Sequence, residues 1–283
     1  IAIKPDIILV TNTAFGTVGP YAKKVGFDSV AQAMSGNMVM SGSPNQPAKS
    51  FGPWVDYGTA GLCAFGTMAA IMHRNATGEG QEVQGALLAT ALMTTNSIMT
   101  EEHVTQRGRV PTGNRGQVSA PSDLFETKDG HIYVICAGQP MYARWASLMG
   151  DNHWLTEERF ATDDDRAENG AEISARMQIW CANKTTKEAM DILEEHRIPA
   201  GPVYNLQEAL KDPHIQESGM LTEVDYPGMA KPAPITSTPV KLSKTPGEIR
   251  HRAPQLGEHT DDVLSSLGYD ADTLAGLREK RII

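Results

Sequence analysis

Apolar residues recur along the chain in two periods, and each change of period marks an element. Residues 5–10 read PDIILV, a short unbroken apolar run suited to a buried parallel strand. Val25, Phe27, Val30, Ala31 and Met34 then fall at mixed helical spacings, with Gly36 as a C-terminal stop. The longest apolar stretch begins just after Asp56. There Leu62, Phe65, Met68, Ile71 and Met72 are interleaved with Gly58, Ala60, Gly61, Ala64, Gly66, Ala69 and Ala70. The pattern predicts a long helix ending at His73 and Arg74, basic residues suited to the negative end of a helix dipole. Asn75, Thr77, Gly78 and Gly80 break the run. Glycine inside a helix costs about 1 kcal/mol against alanine. Three of them in one helix imply that another backbone or a ligand comes very close. A second long helix is predicted from Val83 to about Thr105, with Leu87, Leu88, Ala91, Leu92, Thr95 and Ile98 as its apolar face.

The later half changes character. Phe125, then Asp129-Gly130, then residues 131–136 read as a hairpin around a D-G turn. Residues 142–150 form a short helix with Trp145 and Leu148 inward. Residues 157–168 are acid-rich surface, with Asp163, Asp164 and Asp165 as a solvated turn. Residues 173–180 and 187–195 are amphipathic helices that turn Ile173, Met177, Trp180, Met190 and Leu193 inward, and Thr185 to Glu188 carries an N-cap signal. Residues 198–203 are extended and 206–210 a short helix. Residues 219–240 are β- and proline-rich. A helix through Leu264 and Leu267 stops at Gly268, and 270–281 form a last polar helix.

Composition narrows the functional classes. The 283 residues are 40% hydrophobic and 21% charged, with a net charge of −9. An acidic chain of this kind argues against a nucleic-acid or anionic-membrane partner. No apolar run approaches the roughly 20 residues of a membrane span. Cys63, Cys136 and Cys181 are far apart and odd in number, so neither a disulfide framework nor a zinc site is suggested, and a reducing cytoplasm is the simplest setting. The histidines show no H-E-x-x-H spacing, and no metal is expected.

Three places could carry chemistry. Asp56 stands at the head of the long helix. It reads as an N-cap, accepting hydrogen bonds from free backbone N–H groups, as a nucleophilic carboxylate held ionised by those groups and by the helix dipole, or as both at once. The loop after the first strand, residues 11–20, reads TNTAFGTVGP. It is either a plain β-to-α connection or a ligand site at the carboxyl end of a strand. Residues 107–119 read RGRVPTGNRGQVS, either a linker or a flap with Gly hinges. Glu258 and His259 are adjacent, which on a helix puts them on different faces and favours a cap or a subunit contact over catalysis.

The stretch VDYGTAG followed by AAIMHRNATGEGQEV resembles the class III CoA-transferase (CaiB–BaiF) family. That family carries an Asp before a Gly/Ala-rich helix and then an R-x-x-T-G-x-G-Q motif, found here at Arg74, Thr77, Gly78, Gly80 and Gln81. Two further segments match. Phe15, Gly16, Gly19 and Pro20 fit the family's loop after the first strand, with Ala14 replacing a glycine, and Ala253 to Thr260 fit its A-P-x-L-G-E-H-T segment. The resemblance implies an α/β fold, with a large domain built on a Rossmann-like parallel sheet from both chain ends and a smaller α+β domain inserted between them. Residues 1–110 would be the first large-domain segment, 111–204 the small domain and 205–283 the return segment. The family's N-terminal βα unit would be missing from this chain. The implied activity moves CoA from an acyl-CoA donor to a free carboxylic acid, with Asp56 as the nucleophile. It uses a CoA thioester as substrate and no permanently bound cofactor. Thr13, Ala14, Phe15 and Gly16 would line the CoA pocket. Gly113, Asn114, Arg115 and Gly116 would form a flap over the reacting carboxylate. An interlocked homodimer is implied, with a separate N-terminal portion as a further partner. Racemases of the family carry a His where this chain has Phe27. Phe cannot move a proton, so a 2-methylacyl-CoA racemase is the lesser alternative. A non-catalytic CoA-binding subunit is the third.

Overall fold

The computed structural model describes residues 3–283 and divides into two compact units, Ile1–Val203 and Tyr204–Ile283. The first unit opens with strand β1 (Leu9–Thr13), followed by helices α1 (Asp28–Met34), α2 (Asn37–Met40) and α3 (Trp54–Thr77), strand β2 (Glu82–Ala86) and helix α4 (Leu87–Thr105). β1 and β2 pair in parallel, in register from Leu9 opposite Glu82 to Thr13 opposite Ala86. The fold is therefore mixed α/β with a parallel pair joined through α3.

Two expectations are corrected here. The stretch starting at Val83 is not helical from its first residue, because residues 82–86 find a strand partner in β1 and only then turn into α4. The first strand lies further along than residues 5–10, and Leu9 and Val10 are 47% and 44% exposed rather than buried. A two-stranded pair packed against α3 leaves much of its surface uncovered.

The small residues of α3 serve close packing against its neighbours. A side chain at Gly66 would put its Cβ 2.9 Å from Val83 Cγ1 of β2, and one at Gly58 would lie 3.2 Å from Thr90 Cγ2 of α4. Protein side chains fill the space at these two positions, while Gly61 meets nothing within 4 Å. The helix runs three residues past the predicted end at Arg74, taking in Asn75 and Thr77, and stops at Gly78. Gly78 takes a left-handed conformation and donates its N–H to Arg74 O at 2.7 Å. The local core is small: Ala31, Val55, Leu87 and Ala91, with Ala14, Trp54 and Leu88 packed on it.

The rest of this unit has its own, larger core. Strands β3 (Ser122–Glu126), β4 (His131–Ile135) and β5 (Ala200–Pro202) form an antiparallel sheet in the order β3-β4-β5. Helices α5 (Gln139–Met149), α6 (Asp163–Glu168), α7 (Gly170–Cys181) and α8 (Thr186–Glu195) accompany it. Tyr142, Trp145, Trp154 and Phe160 meet in one aromatic cluster, within a core that also holds Phe125, Ile173, Met177 and Leu193. The D-G hairpin and the Thr185–Glu188 capping box form as the sequence predicts. Asp163 to Asp165 do not form a turn. They open α6 under a Thr162–Asp165 capping box, because Asp163 pairs with the buried Arg166 at 2.7 Å.

The second unit holds α9 (Leu206–Lys211), α10 (Pro213–Glu217), the antiparallel pair β6 (Leu221–Val224) and β7 (Ala233–Thr236), and helices α11 (Thr260–Ser266) and α12 (Ala271–Glu279). No helix among the described residues is long and apolar enough to cross a membrane.

Candidate active site

Asp56 is the third residue of α3, where backbone N–H groups still lack an intrahelical partner. The helix begins after Pro53, whose side chain cannot cap it. The cap comes from elsewhere. Asp28, at the start of α1, accepts the N–H groups of Val55 at 2.8 Å and of Asp56 at 3.2 Å on its Oδ2. Its other oxygen takes a hydrogen bond from Gln32 Nε2, one turn along α1. Gln32 Oε1 in turn accepts Ser50 N–H at 3.1 Å, in the loop that leads into α3. Asp28 and Gln32 are buried, at 5% and 1% exposure.

Asp56 itself is exposed, and among the described residues its carboxylate has no hydrogen-bond partner. Of the two readings of this residue, the cap belongs to Asp28. Sequence reasoning missed the link from Asp28 through Gln32 to Ser50. The Asp-to-Gln spacing of four along a helix was the available signal.

The second turn of α3 is fixed by hydroxyls. Thr59 Oγ1 donates to Val55 O, and the Thr59 and Thr90 hydroxyls lie 2.7 Å apart, tying α3 to α4. Thr59, Cys63, Gly66, Val83 and Thr90 line a cavity of 340 Å³ between these elements.

Thr13 to Gly16 follow β1 directly. Thr13 Oγ1 accepts Gly16 N–H at 2.9 Å, and Ala14 O accepts Leu88 N–H at 3.0 Å, so the loop is seated on the first turn of α4. Ala14 and Phe15 press against Gly26, where an added Cβ would come within 2.8 Å of Ala14 Cβ. Gly26 is two residues before Asp28. The loop thus packs on the chain just before the residue that accepts the Asp56 N–H. All four loop residues are half-buried.

Gly113 to Gly116 are tied down at each step. Gly113 N–H donates to Gly42 O at 3.1 Å and Gly116 N–H to Ser122 O at 2.6 Å. Asn114 O accepts from the Tyr133 hydroxyl, and Arg115 reaches Ala167 O. Arg115 also lines a cavity of 270 Å³ with Arg107, Arg109, Gln117 and Glu168. Hydrogen bonds from Arg109 and then Arg107 hold the Glu101 carboxyl down to about 2 from its ordinary 4.5.

Other candidates are structural. Glu258 is paired with Arg252 at 2.8 Å and accepts Gln255 N–H, which together lower it to about 2. Burial pushes the thiols of Cys136 and Cys181 up to about 12, which makes them poor nucleophiles. No cluster of three or more His, Cys, Asp or Glu side chains able to hold a metal occurs among the described residues.

The profile of CoA-transferase family III matches residues 1–260. The chain is 33% identical to a succinyl-CoA–D-citramalate CoA-transferase of Chloroflexus aurantiacus, over 100% of this chain and 71% of that protein. It is 34% identical to a succinyl-CoA:mesaconate CoA-transferase of Haloarcula hispanica, over 87% of this chain and 62% of that protein. Among solved structures, a CaiB/BaiF family protein from Brucella suis superimposes with a TM-score of 0.76 at 25% identity, over 94% of this chain and 69% of that one.

Proposed function

The chain belongs to CoA-transferase family III, and from that premise we propose that it moves CoA between an acyl-CoA and a free carboxylic acid through Asp56. The observation that carries this reading is a carboxylate at a helix N-terminus whose amides are already capped by another residue. Asp56 is left exposed and unengaged, as a nucleophile must be.

The cycle conserves atoms and charge throughout. An Asp56 oxygen attacks the thioester carbonyl of the donor. The C–S bond breaks, and an acyl–aspartyl anhydride and a CoA thiolate result. The thiolate attacks the Asp56 carbonyl carbon, expels the donor acid as its carboxylate and leaves an aspartyl–CoA thioester. An acceptor carboxylate then attacks the same carbon and releases the thiolate, and the thiolate takes the acceptor's acyl group and frees Asp56. A carboxylate is a weak nucleophile but leaves well once acylated, so one Asp can serve both directions. The steps pass charge between carboxylate and thiolate and call for no metal or resident cofactor.

In this reading Thr13, Ala14, Phe15 and Gly16 line the CoA pocket, and backbone N–H groups near Gly16 face the developing oxyanion. Gly113, Asn114, Arg115 and Gly116 cover the reacting carboxylate, and opening that cover would break the Gly113–Gly42 bond. The similar proteins named above act on succinyl-CoA with citramalate or mesaconate, which favours short dicarboxylic acids as substrates here. We further propose a cytoplasmic homodimer in which the bare apolar face of α3 meets a partner. The three-part domain division is retained as part of this reading, with residues 111–204 as a small domain inserted in a Rossmann-like large one. The racemase alternative lacks a base opposite Asp56, since Phe27 stands beside Asp28 where that base would be needed.

The test is exchange of CoA from succinyl-CoA onto a panel of dicarboxylates. Asp56→Ala should lower kcat by about 10⁴-fold or more with the fold intact. Hydroxylamine added during turnover should leave a hydroxamate on Asp56, read by mass spectrometry. Full turnover by the Ala variant would overturn the assigned role.

A further inference from the structure

The free N–H groups in the first turn of a helix attract a carboxylate. Two such groups in α3 are those of Val55 and of Asp56 itself. Both are taken by Asp28, which stands 27 and 28 residues earlier in the chain. The N-cap position itself is held by Pro53, whose side chain can accept neither group. This protein instead spends a buried carboxylate from another helix on that task. The carboxylate is fixed in turn by Gln32, which also holds Ser50 at the entrance to α3.

We propose that Asp28 is the positioning residue of the site. It occupies the N-terminal amides of α3 so that the Asp56 carboxylate stays disengaged and projects from a fixed backbone. Gln32 is the second member of the device: its amide N–H locks Asp28 in the rotamer that reaches Val55 and Asp56, and its amide oxygen anchors the approach loop. The inference rests on the reading of Asp56 as nucleophile and extends it to two residues that do not touch the substrate. Asp56 remains the catalytic residue, and Asp28 and Gln32 act through it. The arrangement also divides between two carboxylates the capping and nucleophilic roles that the sequence could assign to Asp56 together. An Asp engaged in capping would have to break its own hydrogen bonds before each attack on a thioester. With the cap supplied by α1, the attacking oxygen carries no such cost.

The donor and acceptor pattern gives a direct test. In Asp28→Asn, the amide oxygen can still accept from Val55 and Asp56, but its NH₂ then faces the NH₂ of Gln32, donor against donor. In Asp28→Asn/Gln32→Glu the pairing is restored with roles reversed. The asparagine donates to the new carboxylate, which can still accept Ser50 N–H. A 1 Å misplacement of reacting groups can cost about 100-fold in rate. By that scale Asp28→Ala should lose about 100-fold in kcat and Asp28→Asn about tenfold, with KM moving less than about threefold in each. The double variant should recover to within about threefold of the parent kcat.

Amide hydrogen exchange at Val55 and Asp56 is read on the same full-length variants. It should speed up in Asp28→Ala and return toward the parent rate in the double variant. Unchanged kcat in Asp28→Asn, or no recovery in the double variant, overturns the proposal even if the exchange data confirm the cap. Should Asp28→Ala fail to fold, the single and double Asn variants decide alone. Failure of the Asp56 reading looks different. In that case the parent gives no hydroxamate at Asp56 and Asp56→Ala turns over normally, while the exchange experiment still reports whether Asp28 holds the amides.

Discussion

The two bodies of the first unit solve the problem of stability differently. The one that includes the β3-β4-β5 sheet closes over its own aromatic core, with Tyr142, Trp145, Phe125 and Phe160 at 1% exposure or less. The one that carries Asp56 has only four buried apolar residues at its centre, and its main helix shows large side chains to solvent. Tyr57, Phe65 and Met72 of α3 are each more than 70% exposed. The first region has the larger apolar core. The second holds together by polar clamps, chiefly Asp28 with Gln32 and Thr59 with Thr90, and by close approach of small residues. The carboxylate proposed as nucleophile thus lies by the less complete core, where hydrogen bonds fix position that packing does not.

The contrast can be tested in order of effect. Trp145→Ala should lower the unfolding free energy by about 3–5 kcal/mol, seen as a shifted urea midpoint. A much smaller loss would mean that the aromatic body does not carry the stability assigned to it. Gly80→Ala should cost about 1–3 kcal/mol, because the new Cβ would sit 1.9 Å from Ile7 O and push the approach to β2 off β1.

Acid should act through Glu101. Its carboxyl is held below its ordinary value by Arg109 and Arg107, so this contribution to stability is present above pH 4.5 and is lost as pH falls toward about 2. Thermal melts across that range should show less acid sensitivity in Glu101→Gln than in the parent. Phe65→Ser should change stability by less than about 0.5 kcal/mol in a monomeric chain, since the side chain already faces solvent. A larger loss, or a change from dimer to monomer in size-exclusion chromatography, would show that this face of α3 is covered in solution.

Much of this was legible in the sequence, and the missing parts share a cause. The end of α3 at Gly78, the D-G hairpin and the capping box at Thr185 are local signals, decided by residues within a few positions of one another. β2 was hidden because the apolar pattern runs on into α4, and only the pairing with β1 makes residues 82–86 extended. Arg166 was hidden for a similar reason, as its burial depends on Phe160, Ala161 and Gln139 closing around the guanidinium. Asp56 could be named as a candidate from its place before a small-residue helix. Whether it capped that helix could not be read, because the answer lies with Asp28, in another helix.

That separation bears on how the protein matures. The contact between Asp28 and Val55 closes a loop of 27 residues, and the entropy of closing a loop must be met before the contact gives anything back. α3 can form its own turns early from local hydrogen bonds, but its leading end is completed only when α1 docks. A chain still emerging or still collapsing therefore has a helix without a finished reactive end. On the proposed role of Asp56, readiness for chemistry becomes a late event, timed by tertiary closure rather than by the appearance of α3.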